Sequence, residues 1–418
     1  MLQTGCERSL ACGDRKSTPD RGGCDCLDPA PPHISPPDLL PKLIGTVSSI
    51  ARPHRVLTAA LFASLVVTAA AQTPAASQVR LNQIQVIGTH NSYHAGIAPN
   101  AAKVWQAKNP EEYQKLDYRH PPLPQQLDGG VRQIELDIFA DSQGGRYAHP
   151  SGPSMVAEAG LPPDPDFDPA GLMLKPGFKV MHVQDVDYRS NCQPFTACLQ
   201  QVRQWSHAHP RHIPIFILVE TKQDVPEGSQ LTVPERFTSA TFDALDAEIR
   251  SVFPPGEIIT PDDVRGRYAT LERAVLAGHW PTLANSRGKV LFLMDQRPVG
   301  PVYLAGHPSL RGRILFTNAE PGEPDAAFIE RNDGPAAGIA ALVRKGYLVR
   351  TRTDAETQEA RAGDIRRRDA MLASGAQILS TDYPAAEPAR WPGHYSVALP
   401  GRAVFRCDPV NAPQRCAP

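Results

Sequence analysis

Net charge is almost absent from this chain: 43 Lys and Arg stand against 44 Asp and Glu in 418 residues, leaving −1 with histidine neutral. Without a basic field there is no surface for nucleic acid. No apolar run reaches the length of a membrane-spanning helix, which needs about 20 residues. The run from Val56 to Ala71 has sixteen. No G-x-S-x-G follows a strand-like segment, which excludes a serine-nucleophile elbow, and no Walker or dinucleotide glycine loop opens a helix. What is present indicates a large folded body. Hydrophobic residues make up 41%, enough for a core, and wholesale disorder is excluded. Proline is abundant, 43 residues, so long loops should surround that core. The length suits one large barrel or two ordinary domains.

The sixteen-residue run follows Arg52-Pro-His-Arg55 and closes on Ala69-x-Ala71, the pattern of a secretory signal over residues 51–71. A buried helix is the alternative. Cleavage near Ala71 would place the protein in the periplasm or the medium. Residues 1–50 hold Cys6, Cys12, Cys24 and Cys26 with little periodicity, and read as a disordered leader or a start site set too far upstream. Cys24-x-Cys26 lacks the spacing of a zinc site. Beyond residue 71 there remain Cys192, Cys198, Cys407 and Cys416, two close pairs expected to form local disulfides in an exported protein.

Eight short apolar runs read as strands: Ile84–Gly88, Gln133–Ile138, Lys179–Val183, Ile215–Glu220, Val290–Met294, Ile314–Phe316, Tyr347–Arg350 and Gln377–Ser380. Helices are expected at Glu235–Val252, Gly334–Lys345 and Asp354–Ser374, the last closing at Ser374-Gly375. Strands alternating with helices argue for a parallel sheet with crossovers, and eight units for a single (β/α)8 TIM-type barrel over residues 72–390. Residues 139–177, with Gly144-Gly145, Pro162-Pro163 and Asp164-Pro165-Asp166, read as a long rim loop, and 391–418 as a disulfide-held extension.

Ionisable groups collect at the ends of these runs. His90 and Asn91 follow the first. Glu135 and Asp137, two apart on the second, leave one face of a strand. The third ends at His182, the fourth at Glu220 and Lys222, the fifth at Asp295, the seventh at Arg350 and Arg352, the eighth at Asp382. In a parallel barrel such ends share one mouth, where barrel enzymes keep their chemistry. Each has a plain alternative: a satisfied loop histidine, a structural charge network, aspartates capping turns. His94, His149, His207 and His209 read as bystanders. Glu135, Asp137 and Glu220 with the amide oxygen of Asn91 make an all-oxygen set suited to calcium or magnesium. His90 and His182 remain for proton transfer, and Lys222, Arg350 and Arg352 for a phosphate. The combination describes phosphodiester cleavage.

Gly88-Thr-His-Asn-Ser-Tyr93, Gln133-Ile-Glu-Leu-Asp-Ile138 and Val180-Met-His-Val183 resemble the catalytic domain of phosphoinositide-specific phospholipase C, in its calcium-dependent, secreted bacterial type. Val349-Arg-Thr-Arg-Thr-Asp354 and Gly375–Tyr383 are similar to later barrel strands of that family, so the likeness runs from Gln83 to Tyr383. It implies His90 and His182 as the catalytic histidines, and Asn91, Glu135, Asp137 and Glu220 as calcium ligands, calcium before magnesium. It implies Lys222, with Arg350, Arg352 and Asp382, on the substrate. By the same analogy the inositol 2-hydroxyl attacks phosphorus, His182 protonates the leaving diacylglycerol oxygen, His90 stabilises the phosphorane, and Glu135 or Glu220 is the base. The expected partner is a phospholipid or other phosphodiester at a membrane surface, with no stable protein partner. Rival readings are a glycerophosphodiester phosphodiesterase, a sphingomyelinase D-like barrel, and a catalytically silent binding barrel.

Overall fold

The computed structural model describes residues 78–413 and Cys416. The segments expected to be a signal (51–71) and a leader (1–50), with Cys6, Cys12, Cys24 and Cys26, lie outside the described residues. Ten strands build one sheet: β1 (Ile84–Thr89), β2 (Gln133–Phe139), β3 (Lys179–Val180), β4 (Ile215–Lys222), β5 (Val290–Met294), β6 (Leu315–Phe316), β7 (Phe328–Glu330), β8 (Leu348–Arg352), β9 (Ile378–Thr381) and β10 (Phe405–Cys407). Eight run parallel in the order β6-β5-β4-β2-β1-β9-β8-β7. A single parallel bridge, Asn318 with Phe328, spans the remaining gap between β6 and β7. This is a nearly closed (β/α)8 barrel of TIM type. The residues of β1, β2 and β5 are all buried, the polar ones of β1 and β2 included, as a sheet packed on both faces requires. Helices such as Phe195–Ala208 and Ser239–Val252 turn one buried stripe (Phe195, Leu199, Val202; Phe242, Leu245, Ile249) toward the core.

Three expectations change. The run Lys179–Val183 is not a barrel stave: β3 has two residues and pairs antiparallel with the end of β2, Ile138 opposite Val180. The missing stave is β7, only three residues long and too short to stand out by pattern. The helix expected over Asp354–Ser374 is two, Gln358–Ala362 and Arg366–Ala373, because Gly363 sits between them at φ +65°. The helix expected from Glu235 starts instead at Ser239. Thr238 caps it by accepting from the Thr241 N–H, while the Glu235 carboxylate is taken by the Ser142 N–H.

The segment after β2 is a rim excursion that carries a helix of its own, Gly152–Glu158. The Cys192–Cys198 and Cys407–Cys416 disulfides are both formed. The tail does more than extend the fold: β10 pairs antiparallel with β1, Ile84 opposite Cys407 and Val86 opposite Phe405. Among the described residues no helix is long and apolar enough to cross a membrane.

Candidate active site

The register of β2 against β4 sets Asp137 opposite Glu220 and Phe139 opposite Lys222. Glu135 lies one pleat back from Asp137, so three carboxylates converge, with one oxygen of each within 4.8 Å of the others. Lys222 sits among them, its Nζ 2.6 Å from Glu220 Oε1 and 2.9 Å from Asp137 Oδ2. The approach to Asp137 is off the direction a hydrogen bond needs, and both oxygens of that buried carboxylate lack a hydrogen-bond partner. Burial, then the neighbouring carboxylates, push the Asp137 carboxyl well above its usual range. Burial acts the same way on Glu220, but Lys222 outweighs it and brings that carboxyl down to about 2.

At the end of β1 the chain turns through Asn91 at φ +45°. Ser92 fixes the turn: its hydroxyl contacts Thr89 Oγ1 at 2.6 Å and accepts from the Glu135 N–H at 2.8 Å. Asn91 donates from Nδ2 to the Tyr118 hydroxyl at 2.8 Å, leaving its Oδ1 buried and unpartnered. His90 is 19% exposed, with Nδ1 2.8 Å from Asp382 Oδ1. Arg352 Nη1 lies 3.1 Å from His90 Nε2, and Glu135 Oε1 3.7 Å from it. Arginine can only donate, so Nε2 is the acceptor and the proton of neutral His90 sits on Nδ1, facing Asp382. Burial first, and Arg352 next, hold the imidazole well below its ordinary pKa. His120 supports the same loop, its Nε2 at 3.0 Å from the His90 carbonyl and its Nδ1 at 2.7 Å from Glu387.

His182 follows β3, which is antiparallel, and so does not end a stave as expected. A tight turn closed by Val183 and Asp187 brings it to the same mouth. Its Nδ1 donates to Asp187 Oδ2 at 2.9 Å, and the ring is 20% exposed. His94, read from sequence as a bystander, shares that carboxylate, with Nε2 3.0 and 2.9 Å from its two oxygens. Burial opposes ionisation of Asp187, but His94 and then His182 outweigh it and hold the carboxyl well below its usual range.

Two residues expected to hold substrate are committed elsewhere. Arg350, 1% exposed, bonds Glu135, Glu330 at 2.9 Å, Asn332 at 2.7 Å and the Ser380 hydroxyl. It is the countercharge of the buried acids, not a free phosphate clamp. Asp382 has one oxygen on His90 and the other 3.3 Å from Arg352. Lys222 and Arg352 keep some exposure and can still turn toward a ligand. The sequence reading missed Asp187, Tyr118, His120 and Glu330. None lies on an expected strand: Glu330 ends the short β7, and Asp187, Tyr118 and His120 lie in loops.

The donor set fits a hard divalent cation. Asp137 offers buried oxygens with no hydrogen bond beside Glu135 and Glu220, sulfur and imidazole are absent from that cluster, and Asn91, on the turn after β1, offers a further buried oxygen without a partner. Two histidines oriented through carboxylates flank it, an arrangement able to take a proton on one side of a reacting group and deliver one on the other.

No curated protein matches the chain. Among solved structures it is similar to a calcium-dependent phosphoinositol-specific phospholipase C from a Pseudomonas species, with 16% identity, TM-score 0.46, and 80% of this chain and 97% of that one covered. It is also similar to a calcium-dependent phosphatidylinositol-specific phospholipase C from Streptomyces antibioticus, with 21% identity, TM-score 0.45, and 73% and 95% covered. A third likeness is to the phosphatidylinositol-specific phospholipase C of Listeria monocytogenes, with 13% identity, TM-score 0.42, and 74% and 91% covered. The family model for calcium-dependent phosphoinositide phospholipase C matches residues 79–409, most of the sequence. The chain belongs to that family, and is an enzyme of the phospholipase C kind.

Proposed function

We propose that this protein is exported after cleavage near Ala71 and splits phosphatidylinositol at a membrane surface into diacylglycerol and a cyclic inositol phosphate. The observation that carries the reading is the pairing of two carboxylate-held histidines, His90 on Asp382 and His182 on Asp187, across one acidic cluster. Asn91, Glu135, Asp137 and Glu220 would hold calcium, which when bound lowers the pKa of the attacking hydroxyl and offsets charge developing at phosphorus.

His90 Nε2 is aimed as an acceptor by the Nδ1–H bond to Asp382, and takes the proton of the inositol 2-hydroxyl as its oxygen bonds phosphorus. In this reading His90 replaces the carboxylate base implied by the resemblance, because Glu135 and Glu220 would be taken up as calcium ligands, while Arg352 leaves His90 Nε2 as it turns to the phosphoryl group. His182 gives its Nε2 proton to the glycerol oxygen as the bond from that oxygen to phosphorus breaks. Lys222 and Arg352 hold the phosphoryl oxygens.

The test is product analysis on phosphatidylinositol, glycerophosphoinositol and sphingomyelin, with calcium and with chelator. Cyclic inositol phosphate formed from phosphatidylinositol only when calcium is present supports the reading. Glycerol phosphate or ceramide phosphate as the product, or full activity in chelator, overturns it.

A further inference from the structure

We propose that His94 is a positioning residue for His182, acting through the carboxylate the two share; this rests on the reading of His182 as the leaving-group acid. Asp187 is 1% exposed and His94 fully buried. His94 reaches both oxygens of Asp187, at 3.0 and 2.9 Å, whereas His182 reaches one, at 2.9 Å. The two rings stand edge to face with centroids 6.1 Å apart.

A carboxylate on a loop can rotate about its side-chain torsions, and a histidine bonded to it turns with it. The two-oxygen grip removes that freedom. His94 can supply the grip because its own backbone is fixed. Its N–H donates to the Asn91 carbonyl at 2.8 Å, its carbonyl accepts from the His120 N–H at 2.8 Å, and it bridges to Ser190. Tyr118 packs on its ring at 4.6 Å. His94 lies four residues beyond His90, on the loop after β1, and Asp187 on the loop after β3. The shared carboxylate therefore ties the two histidine-bearing loops together. A hydrogen-bonded supporting residue that sets the aim of a reacting group affects the rate of the chemical step more than substrate binding. A histidine that merely fills the core would lack this signature.

His94→Leu removes the donor, and His94→Gln keeps an N–H. On phosphatidylinositol the leucine variant should lower kcat by about 10–100-fold with KM within about threefold, and the glutamine variant should recover part of the loss. On an aryl inositol phosphate, whose leaving group needs no proton, the loss should vanish. In an Asp187→Asn background His94→Leu should cost nothing more. Unchanged kcat, or equal loss on both substrates, would overturn the proposal. Should the leucine variant not fold, histidine-labelled 15N NMR of the unaltered protein decides the matter. A proton on His94 Nε2 and on His182 Nδ1 supports the shared carboxylate, and a bare His94 Nε2 rules it out. Lack of activity of the unaltered chain on both inositol substrates would defeat the proposed function, and the NMR pattern would then judge this proposal alone.

Discussion

Asp382 Oδ1 lies 2.8 Å from Nδ1 of His90, and the other oxygen of the same carboxylate lies 3.3 Å from Arg352. The carboxylate sets the tautomer of the imidazole, so its chemistry, not only its charge, is needed. Asp382→Asn would offer an N–H where an acceptor is required. It should lower kcat by about 10²–10⁴-fold with little change in KM, measured on phosphatidylinositol at saturating calcium.

His90→Ala and His182→Ala should each cost about 10²–10⁴-fold in kcat. A substrate with an aryl leaving group should restore much of the rate to the His182 variant and none to the His90 variant. Equal restoration of both would mean that the proton to the leaving oxygen comes from elsewhere.

Lys222 occupies the space between Glu220 and Asp137 that a cation would claim. Lys222→Gln removes a competing positive charge from the acid cluster. Calorimetry should show calcium binding severalfold more tightly, while KM for the lipid rises because a phosphate contact is lost. Weaker calcium binding in this variant would show that Lys222 stabilises the ligand set and does not compete with the ion.

Arg350 is enclosed by Glu135 and Glu330 and cannot be removed without leaving buried acids unpaired. Arg350→Gln should destabilise the fold by about 3–5 kcal/mol, read by urea unfolding. An unchanged midpoint with a raised KM would instead place this guanidinium on the substrate.

Asp408 accepts from the N–H groups of Val410 and Asn411, and burial lifts its carboxyl to about 6 from an ordinary value of 3.8. The folded state holds this proton more tightly than the unfolded chain. Its contribution to stability is complete below pH 3.8 and is lost as pH rises through about 6. Asp408→Asn keeps an acceptor and cannot ionise. Relative to the parent it should gain on the order of 1–3 kcal/mol between pH 4 and pH 7, seen as a rising difference in melting temperature. A difference independent of pH would show that Asp408 stays ionised in the fold.

The barrel was legible because its long staves are apolar runs bounded by turn residues. β4 and β5 came within two residues of the expected ends, and β7 escaped because three residues carry no period. The acid cluster was legible for the same reason: Glu135 and Asp137 obey the two-residue repeat of a strand, and sheet register does the rest. Loop partners obey no such repeat. Asp187, Tyr118 and Glu330 meet the site through turns and long-range pairings that only the folded chain defines. His94 reads as a bystander from sequence because its position after β1 gives no hint of a carboxylate 93 residues later. Arg350 looked free for phosphate because β8 does not reveal that β7 brings Glu330 opposite it.

The lacing of β10 onto β1 governs when this enzyme can become complete. β1 delivers His90 and Asn91 to the mouth, yet its opening half is bordered by Phe405, Arg406 and Cys407. Gln83 also donates to the Asn411 carbonyl, 328 residues further along. Contacts so distant along the chain form late, after loop closure has been met. A chain whose synthesis is unfinished therefore lacks the strand that borders the opening half of β1. Truncation before Phe405 should therefore cost the site its order as well as the tail, because the strand that delivers His90 and Asn91 would lose the neighbour along its first three residues.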